Sequence, residues 1–373
     1  MKILTILGTR PEIIRLSAVI RMLDQQAAHV LVHTGQNYDP RLSDQFFDEL
    51  HVRQPDEQMG VREAGMGAQI GRILESSEAL FRKHRPDRLL ILGDTNSGLA
   101  AIIARRLGIP VFHMEAGNRC YDDRVPEEVN RRVIDHCSTV LMPYTERSRA
   151  NLIAEGIAGE RIFVTGNPIK DVMDLHHERV QASTVLRDMT LTAGQYFLAT
   201  FHRAENVDHE GRLRGLLDAF AQLHQRHGMP IVCSLHPRTK ARIDAYGLSA
   251  GHGIQFAVPF GFADFLRLEQ GAFCTLSDSG TVQEEACIMG VPNVTIRDVT
   301  ERPETIECGS NILAGASPDR ILAAVALATR PGRRWTPPAE YLKSGVADTV
   351  CRIVLGQHLP DRAELEWQEG SRR

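Results

Sequence analysis

The stretch that decides the fold is KILTILGTRPEIIRLSAVIRML, from Lys2 to Leu23. Apart from Lys2 and Thr5 its first six residues are apolar, which is typical of a parallel strand buried on both faces. After Gly8 the apolar residues recur at helical spacing. A strand that passes through a short turn into a helix is the opening unit of a βαβ fold.

The same alternation continues along most of the chain. Short apolar runs, such as RLLILG (88–93) and TVLMPY (139–144), are each followed by a longer stretch of helical spacing. The alternation stops in 169–190 and resumes at YFLATF (196–201). We therefore predict an α/β fold with two doubly wound, Rossmann-like domains that face a cleft.

This pattern predicts an N-terminal domain at 1–168, a linker at 169–190 and a C-terminal domain at 191–340. A chain of 373 residues is long enough for two domains of ordinary size. The remaining segment, 341–373, contains an amphipathic helical stretch. Its sequence leaves open on which domain it packs.

Composition excludes several classes of protein. The formal net charge of −4 lacks the basic excess of nucleic-acid-binding proteins. No apolar run approaches the roughly 20 residues of a membrane span, and charged residues follow the amino terminus too closely for a signal peptide. Seven scattered cysteines without a CxxC pair favour reduced thiols over disulfides or zinc. We expect a cytoplasmic protein that binds neither nucleic acid nor membranes.

Polar residues cluster just after the predicted strands, where open parallel sheets bind their ligands. In the first half these are 8–12, 93–97 and the loop that begins at Glu115. In the second half they are His202 with Arg203, His236 to Arg238, and 277–285. We expect both domains to direct these groups into one cleft.

Two of these turns are typical of anion sites. Gly8 permits a tight turn, and Thr9 with Glu12 matches a capping box, so the alternative is simply a well-capped helix. Arg10, however, lies at a helix amino terminus, where the dipole disfavours a cation unless an anion is bound. No GxGxxG motif is present, so the sequence does not support a nicotinamide site.

The second such turn contains Ser279 and Gly280, ahead of a helix that we predict Thr281 to open with Glu284 in capping-box register. Backbone N–H groups at such a turn bind phosphate. Glu284 and Glu285 are candidates for orienting ribose hydroxyls, although glutamates in a first helical turn are common on surfaces.

The carboxylates most expected to meet in the cleft are Asp94, Glu115 and Glu127. Crowded carboxylates raise one another's pKa, so that one serves as an acid while another remains a base. Arg131 follows Glu127 by four residues, and we predict that it holds that carboxylate. The alternative is an exposed ion pair that contributes little.

Histidines at strand ends provide a further candidate group. His202 follows an apolar run and has charged neighbours, so it is either a structural histidine or one that neutralises phosphate or moves protons. His236 occupies the equivalent position after the next strand. The pair His176 and His177 is interpreted as a solvated helix face, because metal ligands need convergent geometry. We predict no metal site.

The combination of motifs resembles the non-hydrolysing UDP-N-acetylglucosamine 2-epimerase family. The resemblance covers the chain in order from residue 3 to about 315 and rests on GTRPEIIR, GDTNS, HMEAGNR with PEEVNRR, FHRAEN, SDSGTVQEEA and RDVTERPE. It implies a fold like that of B-type glycosyltransferases, no metal or other cofactor, and a homodimer.

The resemblance also implies roles for particular residues. The catalytic positions fall on Asp94, Glu115, Glu127, Arg131 and His202. The UDP-binding positions are a second set, of which Arg302 rests on the resemblance alone: Arg10, Arg15, His236, Ser279, Gly280, Glu285 and Arg302.

The implied reaction is C2 epimerisation of a UDP-N-acetylhexosamine through elimination and re-addition of UDP. No carbonyl acidifies the C2 hydrogen, so elimination offers a route that direct deprotonation does not. In this scheme the loop carboxylates handle the proton, and Arg131 or Arg119 sets their charge state. The alternatives are a hydrolysing epimerase, a B-type glycosyltransferase and a non-catalytic UDP-sugar sensor.

The chain departs from the commonest family pattern at three places. Arg15 replaces a frequent lysine, the loop between Glu115 and Glu127 is short, and HTGQNYD (33–39) replaces the usual segment. The last change leaves open whether the chain has the second site at which some members bind UDP-N-acetylglucosamine as an activator. These features resemble the branch that makes UDP-N-acetyl-L-fucosamine for capsule and O-antigen, which acts on a 6-deoxy sugar.

Overall fold

Within the described residues the chain forms two six-stranded parallel sheets covered by helices. The structure is a computed structural model that describes residues 1–35 and 40–359. The first sheet contains β1 to β6, which are Lys2–Leu7, Ala28–His33, Glu57–Gln58, Arg88–Leu92, Val111–Met114 and Val140–Met142. The second contains β7 to β12, which are Phe197–Thr200, Ile231–Ser234, Ile254–Ala257, Cys274–Ser277, Asn293–Thr295 and Asn311–Leu313.

The two sheets have the same topology. The first has the order β3-β2-β1-β4-β5-β6, and the second, read from its β9 edge, has the order β9-β8-β7-β10-β11-β12. This is the doubly wound arrangement in which the strand order reverses beside the first strand of each half. The predicted fold of two Rossmann-like halves is confirmed.

Helices connect the strands. The first half contains α1 to α6: Arg10–Gln26, Pro40–Glu49, Met66–His84, Ala100–Arg106, Pro126–Cys137 and Glu146–Ala154. Three short helices follow, α7 to α9: Ile169–Leu175, His177–Ala182 and Val185–Asp188. The second half contains α10 to α16: Ala204–Val207, Glu210–His227, Pro237–Ala245, Phe262–Gln270, Gly280–Met289, Pro303–Glu307 and Pro318–Ala328. The last helix is α17, Val346–Gly356.

The apolar side chains of strand β1 are buried on both faces of the first sheet, which is why this sheet lies in the interior of the first half of the chain. Ile3 and Leu7 join one apolar cluster, Leu4 and Ile6 join another, and all four side chains are fully buried. Such burial contributes about 1.5–3 kcal/mol for each large aliphatic side chain. The apolar run therefore predicts a central strand, and the structure places β1 between β2 and β4.

The last helix returns to the first half of the chain, which settles the alternative that the sequence left open. Val350 and Val354 of α17 join the apolar cluster that contains Leu16 and Val19 of α1. The Arg88 guanidinium donates hydrogen bonds to the carbonyl oxygens at the end of α17.

The predicted linker 169–190 contains α7 to α9 and lies between the two sheets in the chain. The domain boundaries themselves stay a prediction. In the part of the chain that the structure describes, no helix has the length and apolar character needed to cross a membrane.

Gly8 lies where β1 meets the neighbouring loops, and it leaves no room for a side chain. A Cβ atom there would lie 2.0 Å from the Thr34 hydroxyl oxygen and 2.5 Å from that of Ser97. These two hydroxyls are themselves hydrogen-bonded at 3.0 Å. Glycine is therefore required by the close approach of three loops at one edge of the sheet.

We expect Gly8→Ala to lower the free energy of unfolding by about 1–3 kcal/mol, because the new methyl group displaces both hydroxyls. Urea unfolding measures the change. Gly71→Ala is the matched control, because Gly71 lies exposed within α3 with no atom near its Cβ position. That variant should gain about 0.5–1 kcal/mol, and equal effects of the two variants would contradict the explanation.

Candidate active site

The carboxyl ends of both sheets bear the polar residues that the sequence singled out. Asp94 follows β4 and Glu115 follows β5, while Glu127 lies in the first turn of α5. From the other half, His202 follows β7 and Ser279 follows β10. Ion pairs between the halves show that these loops meet in one cleft.

Glu115 is held by arginines from both halves. Its carboxylate pairs with Arg15 of α1 and, at 2.5 Å, with Arg302 at the start of α15. The Tyr144 hydroxyl lies 3.3 Å away. Burial would raise the pKa of Glu115, but Arg15 and Arg302 outweigh it and lower this pKa to about 2. Glu115 is therefore an ionised carboxylate.

The same two arginines also bind Glu284 of α14. Arg15, Glu115, Arg302 and Glu284 thus form a closed ring of alternating charges, which we call the charge ring. All four side chains are at most 6% exposed. Arg15 and Arg302 were assigned to UDP binding, which stays a prediction; in the structure their guanidinium groups contact carboxylates.

The backbone at Glu115 is strained. Its φ of 63° lies in the left-handed region, which is uncommon for residues other than glycine. Strained backbone of this kind costs on the order of 1–3 kcal/mol and persists when surrounding contacts hold it. Here those contacts direct the carboxylate into the charge ring.

Asp94 has a different environment. Its carboxylate pairs with Arg131, and its backbone carbonyl accepts a hydrogen bond from Asn130 at 2.9 Å. Burial raises the pKa of Asp94, Arg131 opposes that rise, and Glu115 and Glu127 add to it. The pKa values of Asp94 and Glu115 are therefore displaced in opposite directions, as in a pair with separate acid and base roles.

The predicted partner of Arg131 was wrong. Its guanidinium contacts Asp94 and, at 2.8 Å, Glu128, whereas Glu127 pairs with Arg203 of the other half at 3.2 Å. Helix spacing does account for Glu128, three residues before Arg131 on α5, but it cannot indicate Asp94, which reaches Arg131 from the loop after β4. Glu127 therefore contacts the other half.

Arg131 or Arg119 was expected to set the charge state of the candidate carboxylates, and Arg131 is the one that contacts Asp94. Arg119 binds Asp135 at 2.8 Å and Glu155 at 2.6 Å. The charges of that loop therefore serve two purposes, since some reach the cleft and others fix the loop to the first half.

Glu301 is a buried carboxylate that the sequence analysis missed. It pairs with Arg297 at 2.7 Å and lies 3.7 Å from Arg203 and 3.9 Å from Arg131. Burial would raise its pKa, but these arginines hold the pKa well below the usual range. A run of charges in TERPE resembles a solvated helix start, so sequence gave no signal of this burial.

Arg10 and two histidines lie close together across the two halves, and we call these three residues the basic cluster: Arg10, His202 and His236. The His202 and His236 rings are 5.1 Å apart. Burial, then His202 and Arg10, lower the pKa of His236 to about 4. Burial lowers the pKa of His202 against the opposing effect of Asp278, with Arg203 and Arg10 adding to the lowering.

Arg10 fits an anion-binding role. It is the first residue of α1, and burial lowers its pKa without an offsetting carboxylate among the described residues. A diphosphate would supply the missing negative charge at this helix amino terminus.

The capping box predicted after Gly8 is only half formed. Glu12 accepts hydrogen bonds from the Gly8 N–H at 3.0 Å and from the hydroxyls of Thr9 at 2.7 Å and Thr95 at 3.1 Å. Thr9 is the N-cap residue, but its hydroxyl donates to Glu12 and does not cap the helix. Glu12 therefore links the first loop to the loop that bears Asp94.

The box predicted around Thr281 was wrong. Ser279 is the N-cap of α14, Gly280 is its first residue, and Glu284 belongs to the charge ring. Thr281 accepts a hydrogen bond of 3.4 Å from Arg15. Glu285 is buried beside Glu269, and burial raises its pKa to about 7. Phosphate binding at Ser279 and Gly280 stays a prediction.

Two further expectations concern other parts of the chain. In the described residues no group of three or more His, Cys, Asp or Glu side chains is arranged to hold a metal ion. Of the HTGQNYD segment, residues 36–39 lie outside the described residues.

Comparisons with known proteins agree with this geometry. A family model described as UDP-N-acetylglucosamine 2-epimerase matches residues 21–355. UDP-N-acetylglucosamine 2-epimerase from Methanocaldococcus jannaschii is 40% identical over 95% of this chain and 99% of that protein. UDP-2,3-diacetamido-2,3-dideoxy-D-glucuronate 2-epimerase from Pseudomonas aeruginosa is 38% identical over 86% of this chain and 90% of that protein.

The fold has a solved counterpart. The crystal structure of the M. jannaschii UDP-GlcNAc 2-epimerase in complex with UDP-GlcNAc and UDP superposes with a TM-score of 0.90 at 38% identity, covering 95% of this chain and 99% of that one. Both the match over most of the sequence and the similarity of the complete fold confirm the resemblance seen in the motifs. The chain belongs to the UDP-N-acetylglucosamine 2-epimerase family.

Proposed function

We propose that this protein is an isomerase that epimerises a UDP-N-acetylhexosamine at C2 without net hydrolysis. The observation that carries the proposal is that one cleft contains both carboxylates suited to acid and base roles and basic residues suited to binding a diphosphate. Asp94 and Glu115 have pKa values displaced in opposite directions, and the basic cluster, which could bind a diphosphate, includes His202, on whose pKa Glu127 acts.

The reaction proceeds by elimination and re-addition. A carboxylate removes the C2 proton, the released electron pair forms a C1–C2 double bond, and the C1–O bond breaks so that UDP departs with its electrons. Return of a proton to the opposite face of C2, with attack of UDP on C1, gives the epimer. Asp94, Glu115 and Glu127 are the proposed acid and base groups.

The arginines and histidines have a separate role in this scheme. Arg10, His202 and His236 stabilise the negative charge that develops on the departing diphosphate. Ser279 and Gly280 add backbone N–H groups at the start of α14, while Arg15, Glu285 and Arg302 complete the proposed UDP site. Arg131 positions Asp94.

The preferred sugar is UDP-N-acetylglucosamine in this proposal. A relative that is 40% identical carries that name, whereas another of 38% identity is named for a diacetamido-glucuronate sugar. The 6-deoxy substrate of the fucosamine branch, a part in capsule or O-antigen synthesis, a homodimer and a cytoplasmic location stay predictions from the resemblance.

We expect Asp94→Asn and Glu127→Gln each to lower turnover by about 10²–10⁴-fold, the usual contribution of a positioned acid or base. UDP affinity should persist, because the proposed UDP groups lie mainly in the other half. Incubation with UDP-N-acetylglucosamine in D2O, followed by NMR, measures deuterium at C2 in both intact epimers. Isothermal calorimetry measures UDP binding.

The matched control for these variants is Asp123→Asn, a carboxylate of the same loop that is 69% exposed and pairs with Arg132 at 3.1 Å. It should retain turnover. Unchanged turnover in both Asp94→Asn and Glu127→Gln would overturn the acid–base assignment. Net release of free UDP would favour the hydrolysing epimerase, and exchange only with an added acceptor would favour the glycosyltransferase.

UDP binding should strengthen as pH falls. His236 has a pKa of about 4 in the free protein, and a neighbouring diphosphate raises it, so binding takes up a proton. The affinity gain is present below the pKa of the complex and is lost as pH rises through it. Between about pH 7.5 and 5.5 we expect up to a tenfold gain from this histidine.

His236→Asn is the control, because asparagine preserves an acceptor for the Arg238 N–H at the start of α12 without titrating. UDP itself titrates in this pH range and affects both proteins equally. Subtracting the pH profile of UDP affinity for the variant from that for the unaltered protein therefore leaves the contribution of His236. Parallel profiles for the unaltered protein and the variant would show that His236 takes up no proton.

Substrate choice is tested directly with UDP-N-acetylglucosamine, its 6-deoxy analogue and its 2,3-diacetamido uronate analogue. We expect the highest kcat/KM for UDP-N-acetylglucosamine, with a loss of about tenfold or more for the others where a hydroxyl-binding group is left unpaired. Steady-state epimerisation assays give the ratios. A higher value for the 6-deoxy sugar would assign the chain to the fucosamine branch.

A further inference from the structure

A buried histidine and a buried aspartate of the first half contact the backbone next to two candidate catalytic carboxylates. His113 in β5 is 1% exposed, and Asp135 in α5 is fully buried. The His113 Nδ1 atom lies 2.8 Å from the Asp135 Oδ1 atom. We call these two residues the buried pair; neither belongs to the proposed acid–base set or the proposed UDP site.

Each member of the pair contacts the loop of a candidate catalytic residue. The His113 Nε2 atom lies 2.8 Å from the carbonyl oxygen of Gly93, the residue before Asp94. The Gly117 N–H, two residues after Glu115, donates to the Asp135 Oδ2 atom at 3.2 Å. Gly93 and Gly117 both have left-handed backbone, with φ of 76° and 79°.

Asp135 also belongs to the helix that carries Glu127 and Arg131. The pair therefore contacts all three segments that present the candidate carboxylates: the end of β4, the turn after β5, and α5. The backbone of the first two is unusual, and such conformations persist only where surrounding contacts hold them.

Both ring nitrogens of His113 and both carboxylate oxygens of Asp135 have polar partners. The two ring nitrogens of His113 each lie 2.8 Å from an oxygen atom, of Asp135 and of Gly93. Asp135 accepts from His113, from Gly117 and from Arg119 at 2.8 Å. Burial would raise the pKa of Asp135, but His113 and Arg119 lower it, so the acceptor is a carboxylate.

We propose that His113 and Asp135 are positioning residues for the epimerisation, which set the relative placement of Asp94, Glu115 and Glu127 by holding the three segments together. The inference rests on the proposed function of these carboxylates. Proton transfer is sensitive to displacements of about 1 Å, whereas UDP binding depends mainly on the other half. Loss of the pair should therefore lower kcat far more than it changes UDP affinity.

Two variants test separately the two hydrogen bonds of His113, to Asp135 and to Gly93. His113→Asn preserves a donor near the Nδ1 position, toward Asp135, and removes the hydrogen bond to Gly93. His113→Gln preserves a donor near the Nε2 position, toward Gly93, and removes the bond to Asp135. We expect each to lower kcat by about 10- to 100-fold, the range seen when an orienting partner of an active group is removed.

The matched control is His29→Asn. His29 of β2 is equally buried and also pairs with an aspartate, Asp24 at 2.6 Å, with Thr5 on its other ring nitrogen. It lies near the amino end of its strand, at the sheet edge opposite the cleft. This variant should lose similar thermal stability and retain kcat.

The measurements are kcat, KM, the UDP Kd by calorimetry, and Tm for each variant beside Asp94→Asn. The positioning role predicts that the His113 variants lose kcat while their Kd for UDP stays within about twofold of that of the unaltered protein. It also predicts that this loss of kcat exceeds the loss in His29→Asn when the Tm values of the variants are equal. Folded His113 variants with normal kcat, or a loss of kcat matched by His29→Asn, would overturn it. Normal turnover in Asp94→Asn would instead contradict the proposed acid–base role of Asp94, on which this inference rests.

Discussion

The cleft between the two halves depends on the charge ring of Arg15, Glu115, Arg302 and Glu284. Isolated buried charges are costly, and removal of one partner of a buried ion pair typically costs 3–5 kcal/mol. In the ring each guanidinium has two carboxylates and each carboxylate has two guanidinium groups. Each half contributes one arginine and one glutamate that pair with each other, Arg15 with Glu115 and Arg302 with Glu284. The two pairs that cross between the halves close the ring and give every charge its second partner.

The ring also determines the chemistry available to its members. Glu115 faces two arginines and remains ionised, whereas Asp94 lies in a buried site where other carboxylates raise its pKa. Two residues of similar chemistry therefore acquire different protonation tendencies from their surroundings alone. The arginines around Glu115 come from α1 and α15, while Arg119 anchors the loop after Glu115 to Asp135 and Glu155.

The strands and the polar positions at their ends follow from local physics. Apolar runs and helical spacing identify β1 and α1 correctly, and the rule that ligands bind beyond strand ends leads to Asp94, Glu115 and His202. The partners of these residues were harder to infer. Arg131 was paired with Glu127, four residues earlier, but it binds Glu128, three residues earlier, and Asp94, which no helix spacing indicates. Glu284 and Glu301 have the sequence context of solvated glutamates, but the structure buries both and brings them to Arg15 and Arg131 of the first half.

The sequence by itself determined the two doubly wound halves, the strand ends that face the cleft and the family resemblance, because these depend on periodicities and motifs within a few turns of chain. Only the tertiary structure decided which charges pair, on which half α17 packs and which carboxylate has the higher pKa. Arg15 and Glu284 are separated by 269 residues. Their contact depends on how two sheets are placed in space, and no local pattern of residues encodes that distance.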